Sequence, residues 1–273
     1  KKKKKKKIDK KLKKKKKKEI MDNVRNLWII LVTFIFTALA LMVSFFGSMG
    51  QGWQSLEFTV IGLRELVKYL IPIIGLMLGY AAIIREIETG SMSSLLSHPI
   101  KRCEVILGKF IGLGFVLSFC IFIGFGISGI IIGLNINNPD YISYLVFIFV
   151  SILLGLVFLS LSMFFSSIIK TRAASMGISI FFWFFFVILW IFVIAGIGFA
   201  FSINESYAVD LFNPITPFFK LVDISQNMLG VNMFGMKQNL PSYYISETMY
   251  IITLLWIIIP NILTIFVFRR KDI

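Results

Sequence analysis

The chain of 273 residues is 57% hydrophobic and 15% aromatic, which is far above the apolar share of an ordinary soluble domain. Its formal net charge of +15 is concentrated in the first twenty residues, where 15 Lys accompany Asp9 and Glu19. The remainder has 14 basic and 12 acidic side chains, so nucleic-acid binding would rest on the tail alone, and we expect none. We interpret residues 1–20 as a Lys-rich, low-complexity cytosolic tail; attraction of its lysines to an anionic leaflet is the alternative.

Six apolar runs follow this tail, each near or above the ~20 residues that a helix needs to cross about 30 Å of hydrocarbon. They cover residues 27–46, 66–84, 110–134, 141–165, 176–201 and 250–268. Because backbone polar groups inside lipid must be paired within their own segment, each run predicts a helix. The sequence therefore predicts an all-α integral membrane protein, with residues 21–273 forming one membrane domain of six transmembrane helices.

The distribution of Lys and Arg predicts the orientation of these helices. Basic residues are concentrated before the first span, in the loop of residues 85–109, between the fourth and fifth spans, and at the carboxyl end. The loops on the other side are poorer in them. Both termini and the loop between the second and third spans are therefore predicted to be cytosolic.

Features inside the spans predict packing more than chemistry. Gly129 and Gly133 form a G-x-x-x-G pair that favours close helix contact, with a substrate-facing groove as the alternative. Pro260 predicts a kink in the last span, and Asn261 beside it can satisfy a freed backbone group. No carboxylate lies in the middle of a span, which argues against a carrier coupled to protons or sodium.

The segment of residues 202–247 is predicted to be extracytosolic, and its apolar stretch is too short to span. It favours a short interfacial or re-entrant helix. Met228, Met233 and Met236 cluster there, and thioethers suit Cu(I), although an apolar interfacial patch explains them as well. His98 is the only His, so no zinc site of paired His is expected.

Residues 85–102 are the best organised polar segment. Gly90 predicts a sharp turn, and Ser91 predicts the cap of a short helix that ends at His98, before Pro99. This helix carries an apolar stripe of Met92, Leu95 and Leu96. A short amphipathic helix of this kind suits a groove on another protein, or else it lies on the lipid headgroups.

This loop also carries a family resemblance. Its pattern is Arg85-Glu86-x-Glu88-x-Gly90-Ser91-x-x-x-Leu95-Leu96-Ser97-x-Pro99-x-x-Arg102, followed by Leu107-Gly108-Lys109. The pattern resembles the first cytosolic loop of ABC transporter permeases of the type-2 exporter superfamily. The chain looks more closely like the copper-associated, NosY-like permeases of nitrous-oxide-reductase maturation, a likeness that covers nearly everything after residue 17. Thr216 departs from these relatives, which tend to carry Asp at this position after the Asn213-Pro214 motif.

The resemblance implies a permease subunit in the cell membrane of a prokaryote that couples ATP hydrolysis to export. It would assemble with a second permease copy, as a homodimer, and with P-loop ATPase subunits that bind ATP and Mg²⁺. This chain itself would bind no cofactor and catalyse no reaction. The residues that would dock on the ATPase are Glu86, Glu88, Gly90, Ser91, Leu95, Leu96, His98, Pro99 and Arg102.

Two other functions compete with export. In the first, ATP hydrolysis drives an extracytosolic partner, for which a copper-handling protein is one candidate, and nothing crosses the membrane. In the second, the chain is a membrane-embedded enzyme, which would need paired carboxylates, a His cluster or a nucleophile with a base at membrane depth. The sequence has no such group in its spans.

Overall fold

The computed structural model describes residues 27–46, 55–90, 92, 101–200, 203–226 and 241–270, and for residues 27–30 and 203–206 it describes the backbone only. Throughout these ranges the ordered elements are helices. They are α1 Leu27–Phe46, α2 Leu56–Gly79, α3 Ile84–Glu88, α4 Arg102–Leu134, α5 Tyr141–Ile168, α6 Arg172–Phe184, α7 Trp190–Ala200, α8 Ile203–Asp210, α9 Thr216–Ser225 and α10 Ser246–Arg270. The fold class predicted from the sequence is thus confirmed as all-α.

Five helical stretches in the described residues are long and apolar enough to cross a membrane. They are Leu56–Glu88, Arg102–Gly133, Tyr141–Ile168, Arg172–Ala200 and Ser246–Arg270. They correspond to the second to sixth predicted spans. The first predicted span coincides with the 20-residue helix α1, whose apolar part with described side chains is Leu31–Phe46.

Helix α2 begins ten residues before the apolar run that predicts it. Ser55 is its N-cap, with Oγ accepting from the amide of Phe58 at 3.2 Å. The first three turns carry the charged residues Glu57, Arg64 and Glu65. Because they lower the hydropathy of this segment, the apolar pattern does not predict that the helix begins here. The charged residues near its start are therefore helical and not part of a loop.

Helix α5 is the centre of the bundle. It packs against α2, α4, α6, α9 and α10, while α1 lies against α4 and α2. In its most apolar 18-residue window 56% of the residues are buried, against 6% for the span formed by α6 and α7. The span formed by α6 and α7 therefore lies at the edge of the bundle.

Small residues allow the central helices to approach closely. A Cβ added at Gly75 of α2 would lie 2.8 Å from the carbonyl oxygen of Gly155 in α5. Gly129 and Gly133 of α4 face the rings of Tyr144 and Tyr141 at the start of α5. The packing role predicted for the G-x-x-x-G pair is confirmed, with aromatic rings as the partners.

Two helices carry irregular backbone inside the apolar region. Helices α6 and α7 are joined by a π-helical turn, Phe185–Leu189. In α10, Pro260 removes one backbone donor, and Nδ2 of Asn261 donates to the carbonyl of Ile257 at 2.8 Å and to Oγ of Ser160 at 3.0 Å. The carbonyl that loses its donor at Pro260 is that of Trp256, four residues earlier, so repair of this group by Asn261 stays a prediction. The Asn261 side chain instead joins α10 to Ser160 of α5.

The region after α7 contains the short helices α8 and α9. Helix α9 packs against α5 and α10, and it buries Thr216, Pro217, Phe218, Leu221 and Val222. A short helix predicted within residues 202–247 is thus present. Met228, Met233 and Met236 lie outside the described residues.

Candidate functional site: the root of the α2–α4 loop

The loop of residues 85–102, which we call the coupling loop, begins at an irregular turn of residues 80–83 between α2 and α3. The first amides of a helix lack partners within the helix, and no side chain of the loop caps α3. Oγ of Ser166 in α5 accepts from the amides of both Ile83 and Ile84, at 3.1 Å each. A side chain of the central helix therefore caps the helix that leads into the loop.

The carbonyl groups of the same turn have partners on two other helices. Oγ of Ser175 in α6 donates to the carbonyl of Tyr80 at 2.8 Å. Nζ of Lys109 in α4 donates to the carbonyl of Ala82 at 2.6 Å. The turn is thus hydrogen-bonded to α4, α5 and α6, so it cannot move without displacing them or breaking these bonds.

Two carboxylates of α3 form further ion pairs with helices α4 and α6. Oε1 of Glu86 lies 2.7 Å from Nζ of Lys109, and both side chains are largely buried. Glu88 pairs with the guanidinium of Arg172, and its Oε1 also accepts from the Arg172 amide at 3.0 Å. This amide lies in the first turn of α6, where a negative charge is favoured by the helix dipole.

The other end of the coupling loop is tied to α10. Nη1 of Arg102, the first residue of α4, donates to the carbonyls of Phe268 at 2.9 Å and Arg269 at 3.2 Å. The last carbonyls of a helix have no partner within it, so the guanidinium satisfies the end of α10. Both ends of the coupling loop are therefore bonded to membrane-spanning helices.

The structure describes four of the nine predicted docking residues. Glu86, Glu88 and Arg102 have the contacts within the chain given above, and Gly90 adopts the left-handed conformation (φ +69°) that its predicted turn requires. Met92, predicted to belong to the apolar stripe, is fully buried. The remaining docking residues, Ser91, Leu95, Leu96, His98 and Pro99, lie outside the described residues.

The sequence did not predict the side chains of α4, α5 and α6 that bond to the start of the coupling loop. Ser166, Ser175 and Arg172 had no assigned role, and Lys109 was only part of a motif. One signal was available, because Ser166 and Ser175 stand near the loop-side ends of apolar spans, where a hydroxyl has few solvent partners. Their actual partners could not be read, since these lie more than eighty positions away in the sequence.

At the opposite end of the bundle a second group of charges joins α2 to α9. Arg64 pairs with Asp223, and the two side chains are only 24% and 15% exposed. Glu86 follows Arg64 by 22 positions on the Leu56–Glu88 stretch, which corresponds to about 33 Å at 1.5 Å per residue. No charged residue lies between Lys68 and Arg85, so the two groups bracket one thickness of hydrocarbon.

Neither end carries a recognisable metal centre in the part of the chain that is described. No group of three or more His, Cys, Asp or Glu side chains is close enough there to hold an ion. Burial raises the pKa of Asp210, which accepts hydrogen bonds from Thr216 and Trp190. The polar side chains described at the two ends form hydrogen bonds and ion pairs between helices.

Known proteins with a similar sequence identify the kind of molecule. The profile of the family described as "ABC-2 family transporter protein" matches residues 16–273. The chain belongs to this family. It is 28% identical over 269 residues to the "Probable ABC transporter permease protein NosY" of Stutzerimonas stutzeri, which covers 93% of this chain and 96% of that relative. A protein of the same description from Pseudomonas aeruginosa is 35% identical over 178 residues, covering 63% of this chain and 65% of the relative.

The resemblance predicted from the loop is thereby confirmed, and the chain is an ABC-2-type, NosY-like permease. It is a permease subunit of an ABC transporter and a multi-pass protein of a prokaryotic inner membrane. Permease family membership indicates a transport subunit without catalytic activity and implies an ATPase partner in the transporter.

Proposed function

We propose that this ABC-2 permease couples ATP hydrolysis, carried out by separate P-loop ATPase subunits, to export across the membrane. In this proposal α1 also crosses the membrane, as the first of six spans. Both termini and the coupling loop face the cytosol, and α9 lies on the outer side. ATP and Mg²⁺ are bound by the ATPase, and this chain supplies the membrane pathway. One observation carries the proposal: the root of the coupling loop is hydrogen-bonded to α4, α5 and α6.

The contact pattern supports a loop that moves helices more than one that anchors the chain to lipid headgroups. A headgroup anchor needs apolar side chains and exposed charges, whereas Glu86, Glu88 and Arg102 are engaged with helices α4, α6 and α10. A force applied to residues 91–100 therefore has direct routes into the spans. We assign Leu95 and Leu96 to the ATPase groove, and the three charged residues to the support of the loop.

We further propose that a second copy of this chain completes the permease. The α6–α7 span supports this, because its large side chains Phe181, Ile191 and Phe192 are more than half exposed in the single chain. Counting subunits tests it: native mass spectrometry of the purified transporter should give two permease copies for two ATPase copies. A complex with one permease copy would contradict the proposal.

The docking step can be tested with a matched pair of double variants. Leu95→Asp with Leu96→Asp should abolish co-purification of the ATPase in mild detergent, because two carboxylates would enter an apolar groove. Leu134→Asp with Ile142→Asp is the control, since these side chains are 79% and 77% exposed at the opposite end of the bundle. Retention of the ATPase by the loop variant, measured by mass spectrometry, would count against docking through the coupling loop.

The three methionines are a separate and narrower hypothesis. Met228, Met233 and Met236 are proposed to contact Cu(I) on the outer side, since thioethers suit this ion. Met233→Ala with Met236→Ala should lower copper loading of the cells' copper proteins if the hypothesis holds. Unchanged loading would leave the three side chains as an apolar patch.

A further inference from the structure

The ion pair between Arg64 and Asp223 joins two elements that are far apart in the sequence. It links the third turn of α2 to the last turn of α9, across 159 positions. Both side chains are mostly withdrawn from solvent, and burial raises the pKa of Asp223 while the charge of Arg64 opposes that rise. Removing one partner would leave the other charge in a poorly solvated place, so the pair is costly to break.

A second turn of each helix extends the same contact. Phe219 lies one turn before Asp223, and Lys68 lies one turn after Arg64. Nζ of Lys68 is 5.4 Å from the ring centre of Phe219, and Cζ of Arg64 is 6.0 Å from it. Nζ of Lys68 also lies 2.6 Å from Oε2 of Glu65. The contact between α2 and α9 is therefore made by side chains from two turns of each helix.

The start of α9 is held from the other side by the π-helical turn. Nδ2 of Asn213 donates to the carbonyl of Phe186 in that turn at 3.0 Å. Its Oδ1 accepts from the amide of Ile215 at 2.9 Å, so one side chain joins the turn to the residue before α9. π-helical turns are frequent at functional positions of helices.

Asp210 also joins the start of α9 to the α6–α7 span, at Trp190, the first residue of α7. Its Oδ1 accepts from Nε1 of Trp190 at 3.1 Å and from Oγ1 of Thr216 at 3.0 Å. The hydroxyl of Thr216 is thus a hydrogen-bond donor to the carboxylate of Asp210. Helix α9 is bonded to α2 at its end and to the α6–α7 span at its beginning.

We propose that α9 is an outer clasp, in which the Arg64–Asp223 pair transmits displacement of α2 from the coupling loop to α9. Arg64 and Asp223 are then positioning residues, acting on the outer opening of the permease through α9. The clasp rests on the proposed function, because the ATPase has to move the coupling loop. The geometry supports it, since Arg64 at the clasp lies on α2, and α2 is joined to Glu86 of α3 by only the turn of residues 80–83.

Spin-label distances in the assembled transporter test the clasp. Labels on cysteines at Phe212 and Leu134, which are 69% and 79% exposed, report how the turn that leads into α9 moves relative to α4. The native Cys103 and Cys120 are replaced first, because neither is in a disulfide bond and both could react with the label. In lipid nanodiscs, addition of ATP–Mg²⁺ with vanadate should shift the distance distribution, and Asp223→Asn or Arg64→Gln should lose most of that shift.

Charge reversal separates transmission from simple damage. The double variant Arg64→Asp with Asp223→Arg should restore the shift, because it restores an ion pair between the same helices. Glu57→Gln, an exposed change on the same helix, should leave the shift unchanged. A full shift in Asp223→Asn, or no recovery in the reversed pair, would overturn the clasp.

ATPase association and hydrolysis are measured on the same samples, so the two proposals fail differently. If the ATPase binds and turns over but the native clasp shows no shift, the clasp is wrong and the coupling proposal stands. If the ATPase does not bind the native permease, the coupling proposal fails and the clasp falls with it.

Discussion

Nζ of Lys109 lies 2.7 Å from Oε1 of Glu86 while it donates to the carbonyl of Ala82 at 2.6 Å. One ammonium group thus serves a carboxylate of α3 and a backbone carbonyl of the turn before it. It draws the start of the coupling loop onto α4. A group that satisfies two buried acceptors should matter more than either acceptor alone.

Lys109→Met should therefore destabilise the permease more than Glu86→Gln. Loss of the ammonium removes the donor to Ala82 as well as the ion pair, which should cost about 1–3 kcal/mol. Glu86→Gln keeps the Lys109–Ala82 hydrogen bond and should cost less. Thermal unfolding in detergent measures both variants, and equal losses would mean that the backbone bond contributes nothing.

Ser166→Ala should destabilise the loop root. The substitution leaves the amides of Ile83 and Ile84 without the hydroxyl that accepts from both, at a cost of about 1–3 kcal/mol. Ser118→Ala is the matched control, since Oγ of Ser118 donates only to Gly114 within its own helix, at 2.7 Å. Proteolysis near residue 83 should accelerate in the first variant and not in the second. The reverse order would contradict the capping role.

Gly75→Ala should disturb the contact between α2 and α5. The new Cβ would lie 2.8 Å from the Gly155 carbonyl oxygen and 3.2 Å from the Leu159 amide, backbone atoms that cannot rotate away. Overpacking of this kind costs about 1–3 kcal/mol. Gly126→Ala meets nothing within 4 Å and should be neutral or stabilising. Unfolding midpoints of the two variants in detergent decide the matter, and similar values would show that α2 and α5 can separate freely.

Asp210→Asn should alter the pH dependence of stability. Burial raises the pKa of Asp210 in the folded protein, with hydrogen bonds from Thr216 and Trp190 and the charge of Lys220 opposing it. The folded state therefore binds this proton more tightly than the unfolded state, whose pKa is near 3.8. Stability from this group increases as the pH falls through the folded pKa, and the ionised carboxylate carries a cost at neutral pH.

Because an amide side chain is neutral at every pH, the Asp210→Asn variant should lack this component and be at least as stable as the native protein near neutrality. The two should converge as the pH is lowered, measured as unfolding midpoints from about pH 7 to about pH 3. Asp140→Asn is a control of opposite sign. Hydrogen bonds from Ser143 and Ile142 lower the pKa of Asp140, so its contribution is present at neutral pH and lost in acid. If the difference in unfolding midpoint between variant and native protein changed with pH in the same direction for both variants, the raised pKa would not belong to Asp210.

The sequence predicted the apolar cores of the spans because hydrocarbon imposes a strong and local requirement. It did not predict where α2 begins, since the charges around Arg64 are tolerated in a helix that also contacts α9. Arg102 shows the second limit. Its charge suggested an exposed contact, but its partners are carbonyls 166 and 167 positions away. Such pairing depends on how helices are arranged, and one sequence holds no local trace of it.

The outer end illustrates the same limit. Asn213-Pro214 was recognised as a motif, yet its contact with Phe186 depends on a π-helical turn. Residues 178–195 around that turn include no Gly or Pro that would predict an irregularity. Pro260, by contrast, has a covalent reason to lack a backbone donor, so the loss of one helical hydrogen bond in α10 followed from the sequence.

The spacing of the two charge groups on the Leu56–Glu88 stretch matches this permease to a particular hydrophobic thickness. In a bilayer of shorter acyl chains the helix has to tilt or the lipid has to stretch locally, at a fraction of a kcal/mol for each Å of mismatch. Tilt displaces Arg64 and Glu86 in opposite lateral directions, because they lie at opposite ends of the same stretch. If the coupling loop acts as proposed, we expect acyl-chain length to tilt the same helix that the loop displaces, and transport to depend on the thickness of the membrane.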